Sequence, residues 1–434
     1  MLGQKKIWAI HNWVGLYAGV VIAVLSITGV VALFKVEIDQ SLNPHLFKVQ
    51  PQEQKVPITP VIDSLKQVYG AQYFTSLALP KTPKDSYLAT FFVRKGLSMH
   101  KWQVFINPYT GKVLGTRDNY KTTGFFIRNI HVRLFEGLFG RQIVGLAGIA
   151  LLISTITGFL IYGNFMKKQL FGVIRTKNLR IKMADYHKLI GIATLLFNLM
   201  IAITGAWLGL QKYLQPALVG ARPGVYKPAK KLLSKQKDVQ LKVDYDLAYQ
   251  RARQAFPELK AAYMFPSRNG DRTLDIRGSV PRTAFERNTI KLVFDKINLK
   301  ELHRYDVRRA STGDKLFYIQ ESLHFGDYGG ILLKLVYAFF GITSGFLALT
   351  GFIIYLKRTE KPRQKRPKFI ELKPLLLRWT YGILAVIALL FVLHILFGLV
   401  VPTILTIAVL YLSILFLLFK ALFMFIKKRF FLQQ

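Results

Sequence analysis

The chain has 434 residues, 52% of them hydrophobic, a formal charge of +38 and no cysteine. The missing thiols exclude disulfides, thiolate-bound iron–sulfur clusters and covalent c-type haem, each of which needs cysteine sulfur; haem held by histidine alone stays open. Lysine and arginine are spread over every segment outside the apolar runs, not gathered into one basic module, so no nucleic-acid partner is expected.

Apolar runs cover about residues 7–34, 142–163, 189–210, 331–356, 376–400 and 402–426. Each reaches the roughly 20 residues that cross a hydrocarbon core of about 30 Å. They predict a mainly α-helical integral membrane protein with six crossings, the last two joined tightly at Pro402. The first run is too long for a signal-peptide core and lacks a small-residue cleavage site, so it reads as a retained helix.

In chain order the expected units are helix 1 (1–34), an external module (35–130), helix 2 (131–165), a cytoplasmic loop (166–186), helix 3 (187–211), a second external module (212–323), helix 4 (324–357), a basic linker (358–374) and a C-terminal helical hairpin (375–434). The segments "MKKQLFGVIRTKNLRIKMADYHK" and "KRTEKPRQKRPKFIELKPLLLR" are dense in Lys and Arg, which places them, and both termini, in the cytoplasm by the positive-inside rule. The long segments then lie outside. Within them, about 59–118 and 244–307 each read as a short helix followed by strands, with "WQVFINPYTGKVLG" a hairpin around a Pro-Tyr-Thr-Gly turn and "IKLVFDKINLKELHRYD" in the corresponding place.

A four-part rhythm runs through the helices. His11, Gly15, Thr28 and Gly29 recur at the same offsets as His187, Gly191, Thr204 and Gly205. His131 precedes Thr157-Gly158 as His324 precedes Thr350-Gly351, and Gly137, Arg141 and Gly148 match Gly330, Lys334 and Gly341. The chain thus reads as one unit used twice, a four-helix core of two parallel repeats related by an axis along the membrane normal. The hairpin falls outside the repeat.

Topology sorts the repeated histidines into His11 with His187 near the cytoplasmic face and His131 with His324 near the external face. Two facing imidazoles are what a six-coordinate haem needs, and a helix bundle can hold it. Gly15 and Gly191, one turn from their histidines, would let a flat macrocycle approach the backbone. Arg141, Lys334, Lys6 and Lys188 are candidate partners for its propionates. The competing reading makes a helix-end histidine a hydrogen-bonded interfacial residue and Thr-Gly a helix-packing contact. His394, in the fifth run, reads as a packing residue, with ligation of a further haem or contact with a quinone as alternatives, and His45, His100 and His303 as structural or surface groups, with iron binding the lesser reading.

"HNWVGL", "NPYTGKVLG", "IHVRLFEGLFGRQIVGLAGI", "DYHKLIG" with "ITGAW", and "ESLHFGDYGG" with "LTGFIIYLKR" together resemble the PepSY-associated transmembrane family of iron-regulated membrane proteins over about residues 5–358. Similar members include di-haem reductases of the bacterial inner membrane that pass electrons outward to ferric siderophores. The resemblance implies two b-type haems, with His11 and His187 on the inner iron and His131 and His324 on the outer. It also implies two periplasmic PepSY-like α+β modules and a ferric siderophore or other ferric chelate as electron acceptor.

No dinucleotide-binding fingerprint follows a predicted strand, and no flavin module is evident, so electrons would come from a quinol or a separate donor protein. Walker, zinc-protease and serine-hydrolase motifs are missing as well. Two other readings stay open: a haem-free permease for an iron chelate, and a scaffold whose external modules bind a peptide or partner enzyme.

Overall fold

The computed structural model describes residues 3–95, 98–166, 172–220, 222–227, 242–266, 272–280 and 287–363. The expected C-terminal hairpin, with His394, lies outside these. In chain order the elements are α1 (Gln4–Leu33), α2 (Lys35–Leu42), α3 (Pro44–Phe47), α4 (Ile58–Tyr69), β1 (Phe74–Ala78), β2 (Tyr87–Lys95), β3 (Ser98–Ile106), β4 (Val113–Asp118), α5 (Thr123–Arg133) and α6 (Gly137–Met166). Then follow α7 (Leu179–Ala193), α8 (Leu195–Leu218), α9 (Tyr245–Ala255), β5 (Lys260–Pro266), β6 (Thr273–Ser279), β7 (Ile290–Asp295), β8 (Glu301–Tyr305), α10 (Thr312–Phe325) and α11 (Gly330–Arg363). They divide into a helical unit, made of the chain up to Ala32, Ile127–Gln211 and the chain from Leu335, and a sheet unit, Leu33–Phe126 with Lys212–Lys334.

In the helical unit, α1, α6, α8 and α11 supply four segments long and apolar enough to cross a membrane. The lipid-sized outer face shows in side chains such as Leu196, Ile203, Phe339 and Ile342, which are exposed although large and apolar. Glycine sets the helix crossings. A Cβ at Gly209 would stand 2.3 Å from the Cα of Gly145, and one at Gly148 would stand 2.6 Å from the amide nitrogen of Ala206, so α6 and α8 meet backbone to backbone. The equivalent crossing of α1 with α11 brings Gly341 against Val30 and Gly345 against Ser26. Small residues at such crossings gain close van der Waals contact where lipid offers no hydrophobic drive.

Two boundaries differ from the sequence reading. The third span is interrupted at Thr194, whose backbone (φ −103°, ψ 8°) ends α7 before α8 begins; its hydroxyl donates to the Ile190 carbonyl and accepts from Asn198 Nδ2. Asn198 also takes a hydrogen bond from Ser344, so a polar chain buried between helices secures the break. His131 and His324 do not begin the second and fourth spans. They sit on the separate helices α5 and α10, and α6 and α11 start after turns containing left-handed Leu134, Phe135 and Gly137 in one case and Gly326 and Gly330 in the other.

In the sheet unit both predicted modules merge into one antiparallel sheet, in the order β4-β3-β2-β1-β5-β6-β7-β8. The join is β1 with β5, through Leu77 opposite Met264 and Ala78 opposite Tyr263. Each half is a helix followed by four strands in meander order, where the sequence predicts a short helix followed by strands without fixing their number. Leu77, Phe91, Met264, Leu274 and Ile276 are fully buried, as are Ile62 of α4 and Ala248 and Ala252 of α9. The two helices cap one another. Pro57 offers α4 no side-chain cap, and the Asp246 carboxylate of α9 instead accepts from the Ile58 and Thr59 amides at 2.7 and 2.9 Å, while Thr59 Oγ1 accepts from Tyr245 N at 2.9 Å.

Candidate functional site

His11 faces inward from α1, and its ring nitrogen Nδ1 lies 3.0 Å from the Ser154 carbonyl and 3.1 Å from Thr157 Oγ1, both on α6. A carbonyl only accepts, so Nδ1 carries the proton. Thr157 Oγ1 already donates to the Ile153 carbonyl at 2.6 Å, which leaves its lone pair for His11. Gly158 closes the cradle, since a Cβ there would stand 3.1 Å from the ring carbon Cε1.

The arrangement returns at His187 on α7. Its Nδ1 lies 2.9 Å from Thr350 Oγ1 on α11, and the ring packs on Gly351. The Thr350 hydroxyl proton is engaged by the Phe346 carbonyl at 3.0 Å, so this threonine too accepts from the imidazole. In both rings Nδ1 is the donor, and no hydrogen bond among the described residues engages Nε2. The unprotonated Nε2 is the form that binds a metal, and fixing the tautomer through the other nitrogen is how such ligands are oriented.

The two rings meet. Their centroids are 6.2 Å apart and their planes stand at 80°. Two imidazoles on one metal, with bonds of about 2.0–2.1 Å and about 1 Å more from each nitrogen to its ring centre, have centroids roughly 6 Å apart. A Cβ at Gly15 would meet nothing within 4 Å, and one at Gly191 would meet only Leu347 at 3.9 Å. An apolar crevice runs along α1 from Gly15, lined by Gly15, Gly19 and Ala23 of α1 and Ala348, Leu349 and Phe352 of α11. Two neighbouring imidazoles with unengaged Nε2 atoms, and backbone free of side chains at Gly15 and Gly191, are a donor set that suits a flat group taking axial histidine ligands. No cluster of three or more His, Asp or Glu side chains placed to hold a metal ion occurs among the described residues.

The remaining candidates are placed separately. His131 repeats the cradle within the helical unit: its Nδ1 lies 3.3 Å from Thr28 Oγ1, and a Cβ at Gly29 would stand 2.9 Å from its Cε1. His324 belongs to the sheet unit, at the end of α10, edge-on to Phe325 at 5.6 Å. The charges considered for propionates are partly committed. Lys334 pairs with Glu37 at 2.6 Å, Lys188 lies 3.7 Å from Asp185, Arg141 donates to the Leu208 carbonyl and to Gln211, and Lys6 is exposed. His100 pairs with Asp118, His303 stacks on Tyr226, and His45 is exposed.

The threonines are what sequence reasoning passed over, treating Thr-Gly as a packing contact. The signal was present: Thr28-Gly29 follows His11 at the offset at which Thr204-Gly205 follows His187, and Thr157-Gly158 follows His131 at the offset at which Thr350-Gly351 follows His324.

The family model for the PepSY-associated TM region matches residues 8–358. The chain belongs to this family. The matched PepSY-associated TM region runs through α1, the whole eight-stranded sheet and the helices up to α11, and so contains all four repeated histidines. No curated protein matches the sequence.

Proposed function

We propose that this membrane protein is a transmembrane electron conduit, with haem held between His11 and His187, that reduces a ferric chelate such as a siderophore on the outer side. The observation that carries the reading is the pair of rings with centroids 6.2 Å apart, each pinned through Nδ1. Bound haem would supply one-electron redox chemistry at a potential set by its two nitrogen ligands. The chain's own part is to hold both imidazoles in one tautomer, to keep Nε2 unprotonated, and to line the site with apolar side chains that exclude water. One electron converts the chelate's Fe(III) to Fe(II), weakening hard-oxygen ligation. A quinol or a separate donor protein supplies it from the cytoplasmic side.

His131 and His324 are each proposed, from their recurrence in the sequence, as ligands for further haem iron. Recurrence in the sequence supports both, and the Thr28-Gly29 cradle supports His131. Matching helix crossings and matching helix-plus-meander halves favour an internal duplication with the symmetry axis along the membrane normal. Lys- and Arg-rich short loops favour cytoplasmic termini and a periplasmic sheet unit in a bacterial inner membrane.

The test is a reduced-minus-oxidised visible spectrum of detergent-purified protein from haem-replete cells, with haem counted per chain, in wild type and His187→Ala. Two b-type haems falling to one in the variant is the expected result. Protein without haem would sink the conduit and leave a haem-free permease or a partner-binding scaffold.

A further inference from the structure

The second half of the sheet carries a row of facing residues that the electron-transfer reading does not use. Strand register sets Tyr263, Arg277, Lys291 and Tyr305 side by side across β5, β6, β7 and β8. Arg277 and Lys291 are directly opposite, and like charges in that position repel. The first half shows what a settled row looks like. Its counterpart across β1 to β4 is Ser76, Thr90, Gln103 and Arg117, and the single cation there is held by both oxygens of Asp39 at 2.7 and 2.6 Å.

A strap of chain, residues 222–227, is pinned over the second row. Lys291 Nζ donates to the Gly224 carbonyl at 2.9 Å, Tyr318 Oη to the Pro223 carbonyl at 2.7 Å, and Tyr226 stacks on His303. Gly224 has φ +67° and lies against the Tyr305 ring, so the strap can descend this far only without a side chain. The strap delivers a third cation, exposed Arg222, whose charge acts on Lys291. The nearby carboxylates are Asp275, committed to Arg277 at 2.6 Å, and Glu321 of α10 beside Tyr318. Arg277 Nε is buried with no hydrogen-bond partner among the described residues, and its guanidinium rests on the Phe265 ring at 4.4 Å.

We propose that Arg222, Arg277 and Lys291 form a binding site for an oxyanion, a carboxylate or phosphate group of a ligand that enters between the strap and the sheet. Asp275 offsets one of the three positive charges, so an anion there would balance those that remain, and the guanidinium groups offer donors that match its oxygens. The site stands independently of the haem reading, because no part of it belongs to the histidine centre. Burial first, then the charges of Arg277 and Arg222, hold the Lys291 pKa down at about 8. Ligand affinity should therefore fall as pH rises through that value.

The experiment is isothermal titration of the full detergent-purified chain with sodium citrate and, separately, inorganic phosphate, at low ionic strength. Wild type, Arg222→Gln, Lys291→Met and the surface control Lys81→Gln are compared. Saturable binding is expected, weakened about tenfold or more in each site variant, since a charge-assisted hydrogen bond is lost, and unchanged in the control. Arg222 is exposed but interacts with Tyr318, so the thermal unfolding midpoint of its variant is measured alongside, and weakened binding with an unchanged midpoint is the expected result. Binding of citrate alone would assign a carboxylate site, and binding of phosphate a site open to phosphorylated ligands. Absence of saturable binding to wild type, or equal weakening in Lys81→Gln, would overturn the proposal.

Discussion

The Thr350 hydroxyl illustrates how one atom decides the chemistry of another. Its proton is held by the Phe346 carbonyl, so toward His187 it can only accept. Thr350→Val keeps the shape and removes the acceptor. Because outer-sphere partners of metal-bound histidine are worth roughly 10–100-fold in affinity, the variant should lose haem faster to an acceptor apoprotein, whereas His187→Ala should not bind at that site at all. Retention equal to wild type would mean the threonine only packs. Lys291 carries a pH dependence of its own. Burial first, then Arg277 and Arg222, hold its pKa at about 8 against an ordinary 10.5, with Asp275 opposing. Between these values the unfolded chain binds the extra proton, so this residue makes stability increase with pH across that window. Thermal unfolding of Lys291→Met should show a shallower rise there.

At the level of elements, the capping of α4 by Asp246 is a long-range replacement for a local signal. The residue before α4 is Pro57, and the first-turn amides of Ile58 and Thr59 are satisfied by a carboxylate 188 and 187 positions away. Asp246→Ala should cost about 1 kcal/mol, the usual worth of an N-cap, read as a lowered unfolding midpoint with the haem spectrum unchanged. A larger loss that also bleached the spectrum would mean the two units unfold together. The glycine crossings obey a related logic. Gly145 and Gly209 touch through backbone alone, so the helices approach more closely than any other residue pair would permit.

For the whole molecule, the single eight-stranded sheet makes the two halves depend on each other. Pairing of β1 with β5 removes two strand edges that would otherwise stand open. A fragment of residues 35–126 keeps α4 and β1 to β4 but loses both its partner strand and its helix cap. It should aggregate when expressed alone, and co-expression with residues 212–334 should rescue it in a size-exclusion assay. A soluble, monomeric fragment would show that the halves are separate modules.

Hydropathy and spacing were enough to read the class of the protein. Long apolar runs marked the four described spans, alternation marked the strands, and the recurrence of histidine and glycine at constant offsets selected the ring pair, because each is a periodicity that local geometry imposes. Three features needed the folded chain. The break at Thr194 depends on Asn198 and Ser344 meeting across helices, the helix cap depends on Asp246 reaching a distant amide, and the tautomer of His11 and His187 depends on carbonyls and hydroxyls contributed by other helices. The cationic row is of the same kind: Arg277 and Lys291 are 14 positions apart and become neighbours only through strand register. Periodicity reports which face a side chain takes, but a hydrogen bond or a repulsion between residues far apart in sequence exists only once tertiary structure has brought them within reach.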